Sequence, residues 1–320
     1  MQKLLRFVDA HLPWFVLAVV SLGLAFPRVF TAYNGLLPWF MALMTFASTL
    51  GSGFRDLAGV IRRPVPVLAT LLILHLLMPV LTLLLGTLLF PEAPLFTTGL
   101  VLEYAIPTAV ASLMWVGICR ADMPTAISIV LVDTLLSPVV IPLTLKILLG
   151  SVVELDSLGM LKDLLFMVAI PAVAAMGLYQ LRPETSAALK PRLMPLSRLA
   201  MFLLIAANAA GCAPFLQNLN ATLVKVMAVV FLLCLAGFLS GYWAAKALGL
   251  SYMGRLTMCF CAGMRNISAG AVLASQYFPA EVLFPVAFSP IFLQLTTSVV
   301  AKILQSIPSA KAHARELAEK

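Results

Sequence analysis

Cys261-Ala262-Gly263-Met264-Arg265-Asn266 lies in the middle of an otherwise apolar stretch running from about 256 to 276. It puts an arginine where a lipid bilayer tolerates one least. Arg265 is ten residues past Arg255, which at 1.5 Å per residue is roughly 15 Å along a helix, close to the bilayer centre. A second stretch, about 95 to 119, is interrupted in a related way by Ala105-Ile106-Pro107-Thr108-Ala109. The proline and small residues predict that both helices break. Backbone groups freed at that depth are tolerable only where they line a cavity or bind something, and the ends of the half-helices add partial charges there.

Working outward, the chain contains ten such stretches: 13 to 30, 35 to 53, 64 to 90, 95 to 119, 123 to 149, 158 to 181, 196 to 216, 222 to 245, 256 to 276 and 281 to 306. A span of the hydrocarbon core takes about 20 apolar residues. Of 320 residues 62% are hydrophobic and 11% charged, a bilayer composition that excludes a soluble fold. The first block has no cleavage site after it and the next follows within ten residues, so it reads as a span and not as a signal peptide. The net charge of +8 does not point to nucleic acid, because the basic residues sit singly between spans. With the N-terminus inside, sixteen of the 21 Lys and Arg fall on the cytoplasmic side. The expectation is therefore an all-α integral membrane protein of ten transmembrane helices with both termini cytoplasmic.

Ten spans divide into two fives, an odd number, so a duplicated half would be inserted upside down relative to its copy. Sliding the chain by 156 residues places Ser112 on Ser268, Lys146 on Lys302, and the Pro107-Thr108 break on Gly263-Met264. That shared offset predicts two inverted five-helix repeats, residues 1–155 and 156–308, followed by a polar cytoplasmic tail, 309–320. The fourth and ninth helices are then the discontinuous ones. Gly237 and Gly241 form a GxxxG, read as a close helix contact.

Four ionisable groups share one membrane depth: Arg265, Glu103, Asp133 and His75. A charge at the helix centre costs at least about 2.5 to 3.5 kcal/mol, so such groups face a partner or a water-filled cavity. One reading is that Arg265 pairs with Glu103 or Asp133 and fastens the halves together. The other is that Arg265, beside a break, attracts an anionic substrate while a carboxylate takes and releases a proton during transport. His75 by itself reads best as a buried histidine bonded to a backbone carbonyl.

These residues carry a resemblance to the bile acid:sodium symporter family over essentially the whole chain. Gly263-Met264-Arg265-Asn266 is similar to that family's Gly-Met-Gln-Asn, Pro107 to Ser112 to its Pro-Gly-Gly-Thr-Ala-Ser, and Gly241-Tyr242-Trp243-Ala244-Ala245-Lys246 to its approach segment. The resemblance implies ten helices in a panel and a core domain, with helices four and nine crossing where they break. It implies secondary active transport of an organic carboxylate by alternating access in a bacterial plasma (inner) membrane, with Gln294 of the tenth helix as a substrate-side residue; taken with the mid-membrane reading, the substrate-binding candidates are Arg265, Asn266, Thr108, Ser112, Gln294 and His75, and the proton-coupling or ion-pair candidates are Glu103 and Asp133.

The family's sodium ligands are another matter. The positions matching its first ion read Ser112, Leu113, Ala126, Val130 and Cys261; those matching its second read Cys261, Arg265 and Leu74. Sodium is a hard cation that needs oxygen ligands. The expectation is therefore that no metal binds, that Arg265 supplies a fixed positive charge instead, and that the chain is proton-coupled or a facilitator. An intramembrane enzyme or a channel is the competing class, as is a sodium-coupled symporter within the family. No enzyme motif supports the first: His11, His75 and His313 are far apart, there is no GxSxG or Walker loop, and no cofactor is implied. The implied partners are a small organic anion, the lipid bilayer and protons.

Overall fold

The computed structural model describes residues 12–150 and 156–306. The tail at 309–320, His11, His313 and the boundary between the proposed halves at 155 lie outside them. Among the described residues the chain is helical throughout, with no β-strand. Six helices are long and apolar enough to cross a membrane: α3 (Pro64–Leu89), α6 (Met123–Leu149), α7 (Ser157–Leu181), α8 (Pro183–Gln217), α9 (Ala221–Ala247) and α12 (Ala280–Ser306). The other four apolar stretches form shorter pieces. One is α1 (Leu12–Ala25), followed by a five-residue helix, Pro27–Thr31, and one is α2 (Leu37–Thr49). Two are interrupted pairs, α4 (Pro94–Ala105) with α5 (Ser112–Ile118), and α10 (Tyr252–Gly263) with α11 (Ile267–Tyr277).

Both interruptions fall where the prolines and small residues placed them. Helices α4 and α10 each have 12 residues, which at 1.5 Å per residue is roughly 18 Å, about half a crossing. Their inner ends are the most enclosed parts of the molecule: residues 97–105 and 256–263 are all buried. The helix bounds also recur along the chain. α3, α4 and α6 are followed by α9, α10 and α12 at offsets of 157, 158 and 157 residues. α6 and α12 each have 27 residues.

Helix α8 differs from expectation: the polar residues 183–195, read as a connector, continue it as regular helix for 35 residues in all. Hydropathy senses only the hydrocarbon core, whereas a helix can extend past it on exposed polar residues. Pro183 at the first position starts this one at no cost to its hydrogen bonds. Packing sorts the helices into two sets. α8 lies along α1 and α2, and α2 also contacts α7, while α9 lies on α10 and α12, and α4 on α3 and α12.

The Gly237/Gly241 motif is a close contact, as read. A Cβ on Gly241 would lie 2.4 Å from the Met258 carbonyl oxygen of α10, and one on Gly263 2.3 Å from Phe238 of α9. The α9–α10 contact holds the second break in place. Gly241→Val is accordingly expected to cost about 1–3 kcal/mol by overpacking, read as a lower thermal midpoint in detergent. An unchanged midpoint would mean that α10 is free to move away.

Candidate functional site

The two broken segments cross and pair through their backbones. Thr108 and Arg265 form an isolated antiparallel bridge, with Ala109 N donating to Met264 O at 3.1 Å and Asn266 N to Pro107 O at 2.8 Å. Groups that the breaks release from helical bonding thus satisfy one another, as a non-aqueous environment requires. Thr108 ties the knot further: its Oγ1 donates to Cys261 O at 2.7 Å. Ser112, buried at the start of α5, places Oγ 3.9 Å from Cys261 Sγ. Asn266 caps α11, its Oδ1 accepting from Ala269 N at 3.4 Å.

Arg265 projects from this crossing and is 3% exposed. Nη1 donates to Leu74 O at 3.4 Å and Ile106 O at 3.3 Å, both long bonds. Its guanidinium carbon lies 5.4 Å from the centroid of the Tyr104 ring. Nε and Nη2 have no hydrogen-bond partner. Neither Glu103 nor Asp133 comes within 4.0 Å of it. The ion pair anticipated as a fastening between halves is therefore not formed. Both carboxylates are occupied elsewhere.

Asp133 is fully buried on α6. One oxygen accepts from Thr108 N at 2.6 Å, and the other lies 2.5 Å from His75 Nε2. The expected backbone carbonyl is therefore not the partner of His75; a carboxylate is. The reason is local. Residues 73–77 of α3 form a π-turn, the widening that accommodates the ring and missing N–H of Pro79, and such turns re-aim side chains. His75 Nδ1 is buried without a partner.

Glu103 on α4 receives a short hydrogen bond from Ser289 Oγ of α12, and its second oxygen is unpartnered. Gln294, the expected polar contribution from the last helix, is exposed and makes no hydrogen bond. The structure thus gathers Arg265, Thr108, Ser112, Asp133 and His75 around one crossing, with Asn266 at its edge and Glu103 beside it, and leaves Gln294 outside. Tyr104 and Ser289 were not anticipated. A tyrosine next to Glu103 and a serine before Pro290, both mid-span, were the available signals.

Two broken helices that cross in the buried interior, with a buried cation beside the crossing, form the kind of site that membrane transporters use. The sequence pattern of the sodium bile acid symporter family matches residues 38–219. An uncharacterized protein of Bacillus subtilis, YbaS, is 35% identical over 286 residues, which cover 89% of this chain and 94% of that protein. The probable sodium/metabolite cotransporter BASS1 of Arabidopsis thaliana chloroplasts is 28% identical, over 92% of this chain and 73% of that one. A B. subtilis protein named as an uncharacterized sodium-dependent transporter, YocS, is 23% identical over 94% and 92%. The chain belongs to the sodium bile acid symporter family and is an integral membrane transporter.

The donor set at the positions expected for sodium fits that ion poorly. Ser112 contributes the one side-chain oxygen. Leu113, Ala126, Val130, Cys261 and Leu74 contribute none, and the remaining position carries a guanidinium. Among the described residues no group of three or more His, Cys, Asp or Glu is arranged to hold a metal ion.

Proposed function

We propose that the chain is a secondary active carrier of a small organic carboxylate that works by alternating access without sodium, Arg265 standing as a permanent charge where relatives hold the coupling ion. The observation that carries this reading is the guanidinium itself: buried, with no carboxylate within 4.0 Å and with two N–H-bearing nitrogens unused. A buried cation left in that condition is costly, and an incoming carboxylate is the ligand that would relieve it with charge-assisted bonds. The α11 N-terminus, capped by Asn266, adds positive potential on the same side. Thr108, Ser112 and Asn266 hold the crossing in shape. Gln294 would have to act from an exposed position on α12.

The recurring helix bounds support two five-helix halves of opposite insertion, 1–155 and 156–308. The two packing sets support a panel and a core, and the distribution of Lys and Arg supports cytoplasmic termini in a bacterial plasma membrane. Asp133, held between His75 and the first break, is the group suited to carry a coupling proton, with Glu103 second. The names of relatives favour sodium coupling instead, and one experiment separates the two. In proteoliposomes, counterflow of a labelled monocarboxylate is expected to proceed at the same rate when choline replaces sodium. A rate that collapses without sodium would sink the proposal. Absence of counterflow with every acid tried, in either salt, would remove the carrier mechanism and leave a channel or enzyme.

A further inference from the structure

The end of the molecule where α3, α6 and α10 begin carries basic groups that the crossing does not use. A pocket of about 310 Å³ opens there, with Arg62, Arg63, Asp122 and Thr125 on one side and Ser251 and Gly254 of the α9–α10 turn on the other. A second pocket, of about 290 Å³, shares Arg62, Arg63 and Thr125 with it and adds Arg55 and Asp56. The two make one groove.

Its carboxylates are already committed. Asp122 pairs with Arg63, and its Oδ2 also accepts from Thr125 Oγ1 at 2.8 Å. Asp56 accepts from Gly53 N at 2.8 Å. Arg55 and Arg62 are exposed and make no hydrogen bond or ion pair among the described residues. Three arginines against two carboxylates leave the groove net positive, and the N-terminal ends of three helices add to that potential. A guanidinium fork matches a phosphate through two parallel hydrogen bonds.

The groove also runs into an apolar face. Val65 lines it, and Leu68 and Leu72, three and seven residues further along α3, lie on the same side of that helix. All three are exposed, as is Ile61 just before them. α3 is long and apolar enough to cross a membrane, so a strip that begins in its first turn leads from the bilayer surface into the hydrocarbon. Unpaired cations above an apolar strip match a charged head that carries acyl chains. A soluble phosphate would have no use for the strip.

We propose that this groove binds the phosphodiester head of an anionic phospholipid, with Arg55 and Arg62 on the phosphate and an acyl chain along Val65, Leu68 and Leu72. The site is independent of what Arg265 binds. It lies against the segment 50–63, which joins α2 of one packing set to α3 of the other and is tied to α6 where Ser128 Oγ donates to Asp56 O at 2.6 Å.

The test follows the thermal midpoint of the full-length chain in detergent during titration with phosphatidylglycerol, phosphatidylcholine or glycerol phosphate. Phosphatidylglycerol alone is expected to raise the midpoint, and to do so saturably. Each arginine facing an anionic head is expected to contribute about fivefold in affinity. Arg62→Gln should therefore need about fivefold more of this lipid for half the rise, and Arg55→Gln combined with Arg62→Gln about thirtyfold. Arg192→Gln, an exposed arginine of α8 that does not line the groove, should need no more than the native chain. If the double variant does not fold, Arg62→Gln alone decides. No rise with phosphatidylglycerol, an equal rise with phosphatidylcholine or glycerol phosphate, or a loss at Arg192 equal to that at Arg62 overturns the assignment.

Discussion

Arg265→Ala is expected to weaken carboxylate binding by about a hundredfold while costing the unliganded protein only the packing on Tyr104 and the two long bonds to the Leu74 and Ile106 carbonyls. The two parts of that result have different causes. Charge-assisted contacts to a buried anion, removed from one side, cost about 2–5 kcal/mol, and each 1.4 kcal/mol is tenfold in affinity. Stability behaves otherwise. In the structure the guanidinium is desolvated and answered by only two long bonds to Leu74 O and Ile106 O, so its removal strands no carboxylate. Were Arg265 a structural fastener in an ion pair, its loss would leave a buried anion uncompensated and cost about 3–5 kcal/mol. Thermal midpoints with and without a carboxylate distinguish the cases: the ligand-induced rise disappears under the carrier reading, whereas the ligand-free midpoint falls under the other.

Asp133 is where substitution should damage the fold itself. Its two oxygens serve the Thr108 amide at the first break and the His75 ring in the π-turn. His75 from α3 pairs with it, and Cys261 from α10 and Arg265 from the second break lie close enough to feel its charge. Asp133→Ala leaves an amide and a ring nitrogen unpaired at membrane depth, for an expected loss of about 3–5 kcal/mol. Asp133→Asn keeps the shape and one acceptor, so most of that stability should return. What it cannot do is exchange a proton at that site. Uptake into proteoliposomes by the native carrier is expected to rise when the outside is acidified, and Asp133→Asn is expected to flatten that response. If both Asp133→Asn and Glu103→Gln keep the full response, proton coupling through this site is wrong.

Much of this arrangement was visible in the sequence because the membrane imposes severe rules on it. Pro107 and the small residues around Gly263 marked both breaks, because a proline removes a backbone donor and small residues let two freed segments approach closely. Arg265, Glu103, Asp133 and His75 stood out because charge at that depth is costly. Their pairing was not legible. Which carboxylate takes which partner depends on the π-turn at residues 73–77, and a π-turn changes hydrogen-bond register without changing hydropathy. Pro79 was its trace, just as Pro171 follows the second π-turn at residues 165–169.

In this carrier a guanidinium is expected to do the work that a metal ion does in sodium-coupled relatives. The affinity of the purified native chain for one carboxylate, titrated in sodium chloride and again in choline chloride, addresses this most directly. Equal dissociation constants in the two salts are predicted; binding that appears only when sodium is present would contradict the account.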